Sequence, residues 1–244
     1  MASELKLLLY TAGVSGPWVV VAHDYGGIIA REFGPLMNED EDDLVWNEVS
    51  AMVLVHCLTE FSGEYRPEGL RAAYCGLLDG GAVTFREIVK LKERLQMNAE
   101  EWAAYSYKGT EEERKVWEKA SKREIAGFEQ SLRELREERQ YGKNVMGGKP
   151  IIVIKGNTTG EVKKVLDWAE ERRTGTEEQR ALIRRWLGKE EEENRVHRDQ
   201  LRLTSEGAGV LVHALKSGND VQLTEPDLIA WEVKKIFDTG VLER

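Results

Sequence analysis

The sequence predicts an α/β fold: a parallel sheet of about four strands, helices on both faces, and a helical lid. Three observations carry that expectation. Four short apolar runs, Trp18–Ala22, Ala51–His56, Ile151–Lys155 and Gly209–Ala214, are rich in Val and Ile, as buried parallel strands are. Segments of helical period separate them, which calls for right-handed crossovers. The stretch 61–148, between the second run and the third, carries helical patterning and no strand pattern.

Taken in order, Ser3–Ala12 reads as a helix with Leu5, Leu8 and Leu9 on one face and Ser3 as its cap. Gly13 and Gly16-Pro17 end it. The run Trp18–Ala22 reads as a strand covered on both faces, and the pattern of Ile28, Ile29 and Phe33 starts a helix that reaches about Met37. Asn38–Asp43, NEDEDD, reads as a solvated acidic loop. After the second strand, Phe61–Leu70 is loop-like. Helices are expected at Arg71–Leu78, Thr84–Gln96, Asn98–Tyr107 and Thr110–Arg139, the last with Val116, Trp117, Ile125, Phe128, Leu132 and Leu135 as its apolar stripe. Gly147–Pro150 leads into the third strand. Helices at Glu161–Arg172 and Thr176–Leu203 precede the fourth strand, and Glu225–Asp238 is the last helix. The implied organisation is a first core half over 1–60, the lid insertion over 61–148, and a second core half over 149–244.

Composition narrows the function classes. The 244 residues are 41% hydrophobic, enough for a sizeable core, and 32% charged, which suits long solvated helices. The formal net charge of −9 argues against nucleic acid as a partner, since no basic excess is available to neutralise phosphates. Two cysteines, Cys57 and Cys75, do not make a disulfide framework and fit a reducing compartment. No apolar run approaches the roughly 20 residues of a membrane span, and Met1–Glu4 does not open a signal peptide. A cytoplasmic protein with no membrane partner is the expectation. The histidines show no metal-ligand spacing, and Gly26-Gly27 lacks the pattern of a nucleotide loop, so neither a metal nor a cofactor is expected.

Ligands of parallel sheets bind beyond the carboxyl ends of the strands. Here those ends are Asp24, His56, Gly156-Asn157 and Ser217–Asp220. The first is part of a strand, a sharp turn and a helix, GPWVVVAHDYGGIIAREF, over Gly16–Phe33. A polar residue at such a corner, followed by glycines, resembles the nucleophile elbow of the α/β-hydrolase family. Ala22-His23-Asp24-Tyr25-Gly26 matches its Gly-x-Ser-x-Gly, with Asp24 at the serine position. AMVLVHCLTE, KPIIVIKGN and SGNDVQLTEPDLI are similar to the family's later strands and to its histidine-bearing loop. In style the sequence most resembles fungal hydrolase-like proteins, several of which belong to natural-product pathways.

Three departures qualify what the resemblance implies. Family members with aspartate at the elbow use it as a nucleophile, in a setting like His23–Gly27. The histidine position, however, holds Asn219, and an amide does not accept and return a proton near neutral pH. The family also has about four strands before the elbow, where this chain has one helix. At roughly 30 residues per strand–helix unit, about a hundred residues are absent, so the fold is expected to be a truncated hydrolase-like one. Its elbow strand is then an exposed edge, along which a second copy or another partner is expected to meet it, a two-fold homodimer being the simplest solution.

Asp24 is the first catalytic candidate; the competing assignment is a cap on the following helix. His56 is the second, able to face Asp24 across the pocket floor as a carboxylate–imidazole pair, or else a core histidine bonded to backbone. Asn219 is the third, as an orienting group. Tyr25, Glu60, Asn157 and Asp220 are candidate substrate contacts, with turn chemistry the competing role for Asn157 and Asp220. His23 is expected to be packed structurally, His197 to be exposed in a charged helix, and His213 to be structural. The leading function is a cofactor-independent, non-hydrolytic enzyme: a cyclase, isomerase or lyase, with a pericyclic step included. Its substrate is an apolar biosynthetic intermediate held between lid and sheet. The alternatives are a residual epoxide or ester hydrolase using Asp24, and a non-catalytic binding or scaffold protein.

Overall fold

The computed structural model describes residues 1–38, 49–78, 81–107 and 109–238. Past its first residue, the acidic stretch expected at 38–43 lies outside the described residues. The chain runs α1 (Ala2–Thr11), β1 (Trp18–His23), α2 (Gly26–Asn38), β2 (Val49–Val55), α3 (Leu70–Leu77), α4 (Phe85–Ile88), α5 (Leu91–Arg94), α6 (Ala99–Ser106), α7 (Glu111–Glu138), β3 (Ile151–Gly156), α8 (Thr158–Arg172), α9 (Glu177–Leu187), α10 (Glu190–Asp199), β4 (Gly209–Ala214), α11 (Val221–Thr224) and α12 (Pro226–Asp238).

The four strands pair in parallel and in sequence order, β1-β2-β3-β4. Strand alternation gives the sheet two apolar faces. Met52, Leu54, Ile151 and Val153 meet Ala30, Phe33 and Met37 of α2 on one face. Ala51, Val53, Val55, Ile152 and Ile154 meet Leu228, Ile229, Val233 and Ile236 of α12 on the other. The central strands β2 and β3 are buried along their whole length. β1 differs from its expectation of double coverage. Val21 is 50% exposed, so one face is incompletely covered; among the described residues β1 is also a sheet edge, as expected of the elbow strand.

A third core holds no strand. Tyr65, Ala73, Leu77, Val89 and Leu91 pack against Val162, Val165, Leu166, Ile183 and Trp186. The first part of 61–148 therefore shares its core with α8 and α9. Helix starts follow their local chemistry: Thr84, Asn98, Thr110 and Thr176 each form a reciprocal capping box with the residue three positions on.

Several element expectations are corrected. Ser3 lies inside α1, which starts at Ala2 without a side-chain cap, and Leu8 is exposed while Leu5 and Leu9 pack inward. The expected Thr84–Gln96 helix splits at Lys90, whose backbone is left-handed at φ 53°. The expected Thr176–Leu203 helix ends at Gly188 and restarts as α10. Only the second half of the α7 stripe packs; Val116, Trp117 and Ile125 face solvent. No helix among the described residues is long and apolar enough to cross a membrane.

Candidate active site

The corner after β1 is held by backbone bonds. The Asp24 N–H donates to the Val55 carbonyl at 3.3 Å, and the Asp24 carbonyl accepts from the N–H groups of Gly27 and Leu58 at 3.2 and 3.0 Å. Asp24 itself is left-handed, at φ 51°, a conformation uncommon for a residue with a Cβ and best tolerated by Asn and Asp. Gly27 is required by the close approach of α2 to the end of β2: a Cβ there would lie 2.3 Å from the Cβ of Cys57. The Asp24 carboxylate takes no hydrogen bond among the described residues and does not cap α2. It lines a cavity of about 300 Å³ together with His56, Cys57, Leu58, Thr158 and Asn219. Ser62, Tyr65, Arg66 and His197 complete the lining.

His56 is left-handed at φ 43°, just past β2, and buried. Its Nδ1 accepts the Gly156 N–H at 3.1 Å, so the proton sits on Nε2 and points to the Thr158 hydroxyl at 3.0 Å. Its ring stacks on His197, with centroids 4.8 Å apart. Burial pushes the His56 pKa down to about 3, aided by the Lys155 cation. Burial also holds His197 well below the usual imidazole range, with His56 and Lys155 adding to it. Beside this stack, the Lys155 ammonium lies 3.3 Å from the Glu193 carboxylate, both 3% exposed.

His56, His197 and Glu193 can each bring a ligand atom to within 4.8 Å of one another. Two of these groups are already engaged, His56 Nδ1 by the Gly156 N–H and Glu193 by Lys155. The cluster is thus built as a neutral imidazole stack around an internal ion pair, a poor match to an open ligand set.

The loop after β4 closes one side. His23 Nε2 donates to the Asn219 carbonyl at 2.8 Å, which carries Asn219 across the strand ends to the elbow. Asp24, His56 and Asn219 therefore come together, as expected from the ends of their strands. The four expected substrate contacts do not line the cavity, and each has another task. The Tyr25 hydroxyl is 3.2 Å from that of Ser131, and its ring lies 5.7 Å from Phe128, so it fastens α7. Glu60 accepts two bonds from the buried Arg31, at 2.6 and 3.0 Å, and Arg31 also donates to Gln140 and Tyr141. Asn157 caps α8 by accepting the Gly160 N–H at 2.9 Å. The Asp220 carbonyl accepts from Leu223 and Thr224 in α11.

His197, expected to be exposed, is 3% exposed and stacked in the site. The signal was present: Glu193, Val196, His197 and Gln200 share one helical face and are all buried. Lys155, a charge closing an apolar run in a central strand, was a second signal. No helix from α3 to α7 contributes to the cavity, and its lining is mainly polar, which departs from an apolar pocket between lid and sheet.

No family model matches the chain. A Gibberella zeae protein named "AB hydrolase superfamily protein" is 27% identical over 237 residues, which span 97% of this chain and 70% of that protein. A Hormonema carpetanum protein named "Probable transporter efuK" is 24% identical over 248 residues, 98% of this chain and 32% of that protein. Among solved structures, a candidate non-heme bromoperoxidase from Mycobacterium tuberculosis superposes with a TM-score of 0.46 and 14% identity, over 98% of this chain and 73% of that one.

Proposed function

We propose that this chain is a cofactor-independent enzyme on an α/β-hydrolase-like fold, in which Asp24 transfers a proton to or from a small molecule, as an isomerase, lyase or cyclase. One observation carries the reading: the Asp24 carboxylate lines the cavity with no hydrogen-bond partner among the described residues, while the imidazole of His56 in the same lining is engaged at both nitrogens. Ester hydrolysis through an aspartyl intermediate needs an imidazole that takes a proton from water. His56 has no free lone pair for that step, and its pKa of about 3 leaves it a weak base at neutral pH. Asp24 needs no such partner to act as a general base or acid. The polar lining, with Ser62, Arg66, Thr158 and Asn219, favours a substrate with carbonyl or hydroxyl groups to orient.

Proton exchange tests this. The protein is incubated in D₂O with a panel of small enolisable ketones and lactones, and NMR follows deuterium uptake at carbon. We expect uptake with at least one compound, falling about a hundredfold or more in Asp24→Asn. Uptake independent of Asp24, or a covalent ester trapped on Asp24, overturns it. The second outcome favours the hydrolase alternative, which the left-handed elbow at Asp24 supports.

Self-association along β1 belongs to the same proposal. β1 is a sheet edge with Val21 exposed, and an open edge is a template for another strand. Light scattering that reads one chain over a wide concentration range counts against it.

A further inference from the structure

The loop at 59–66 serves two concavities. Ser62, Tyr65 and Arg66 line the candidate active site, whereas Glu60, Phe61 and Glu64 line a separate cleft of about 410 Å³. Four arginines are among the residues that line that cleft. Arg136 is in the last turn of α7 and Arg139 directly follows it; Arg195 is on α10, and Arg202 is in the turn after α10. Each pair brackets the end of its helix, one residue inside it and one just beyond. Two segments far apart in sequence thus bring four like-charged residues to one cleft, on a chain whose net charge is −9.

The carboxylates in the cleft do not balance them. Glu60 is taken by the buried Arg31 at 2.6 Å. Glu64 pairs with Arg136 at 3.3 Å, and Asp199 lies 3.9 Å from Arg202. Arg139 and Arg195 have no ion pair among the described residues. Convergent cations repel one another, and a cleft focuses their field, so such an arrangement is stabilised by a bound anion. Guanidinium forks match the oxygens of a phosphate group in pairs. The floor is aromatic: Phe61 and Tyr141 have ring centroids 5.9 Å apart, and Arg136 lies over Phe61.

We propose that this cleft is a binding site for a soluble phosphate ester, its phosphate held by Arg139 and Arg195 with Arg136 and Arg202 flanking, and its organic part against Phe61 and Tyr141. The site is distinct from the cavity that holds Asp24.

Calorimetric titration with inorganic pyrophosphate at low salt is the test. It compares the wild type, the double variant Arg139→Gln/Arg195→Gln, and a control, Arg114→Gln/Arg133→Gln, that removes the same charge from exposed positions elsewhere on α7. Melting curves verify that all three are folded. We expect a dissociation constant below about 1 mM for the wild type, weakened about tenfold or more in the cleft variant and less than about twofold in the control. No heat up to that concentration, or equal weakening in both variants, overturns the proposal. So does binding to phosphatidic acid vesicles without binding to pyrophosphate, which would make the cleft a membrane contact.

Discussion

Two corners of this sheet are built alike and used differently. At each, a parallel strand ends, a short polar turn follows, and a helix leaves over one face of the sheet or its neighbouring helical layer. After β3, Asn157 spends its side chain on the turn, accepting the Gly160 N–H and fixing the start of α8. After β1, Asp24 does not; its backbone is left-handed, the corner is secured by Val55 and Leu58, and the carboxylate is left facing the cavity. The difference teaches how to separate a structural polar residue from an available one. Both side chains are short and polar and both directly follow a strand, so position does not separate them; the hydrogen-bond account does.

Substitutions sharpen the contrast, beginning with the largest effect. Asp24→Gly relieves the left-handed backbone, so the melting temperature holds or rises while Asp24-dependent proton exchange falls about a hundredfold or more. A large loss of stability instead would make Asp24 a second Asn157. Glu60→Gln extends the comparison to a paired charge. Arg31, 1% exposed, is then left without its counter-ion, and denaturant titration is expected to register a loss of about 3 to 5 kcal/mol.

Acid comes next in size. The His56 pKa is depressed in the folded state to about 3, from about 6.5 in the unfolded chain. The unfolded state therefore binds the proton first. The stability that the neutral ring contributes is complete above pH 6.5 and is lost as pH falls towards 3, by about 3 kcal/mol at pH 4. His197 adds in the same direction. Urea midpoints from pH 8 to pH 4 measure this, and His56→Gln should flatten the acid limb. The smallest effect belongs to the capping corner itself: Asn157→Ala should cost about 1 kcal/mol and leave proton exchange unchanged.

Much of the scaffold was legible in the sequence, for a physical reason. Central parallel strands must be apolar on both faces, and Ala51–Val55 and Ile151–Ile154 say so in continuous runs. The elbow was legible as well, because Asp24 and Gly27 sit where a corner needs a left-handed residue and a missing Cβ. Long charged helices were not. Lys90 breaks one through its left-handed backbone, and the other ends where Lys189, just after Gly188, leaves helical angles; periodicity encodes neither. Of the candidate site, Asp24, His56 and Asn219 could be placed from the strand ends, which the sheet itself aligns; Asn157 and Asp220, from the same ends, are taken up by the starts of α8 and α11. Glu60 and Tyr25 could not, because their partners, Arg31 and Ser131, come from other elements. The same limit hid His197, which meets His56 across 141 positions (197 − 56) of chain.

The bond from His23 to the Asn219 carbonyl has a consequence in time. It links positions 196 residues apart, from the end of the first strand to the loop after the last. During synthesis, the elbow emerges early and waits, one wall open, until the chain through Asn219 has been made. Core packing of β1 with β2 can come first, but the cavity is finished only when that late loop is laid across it, so an unfinished chain holds Asp24 in water rather than in a site.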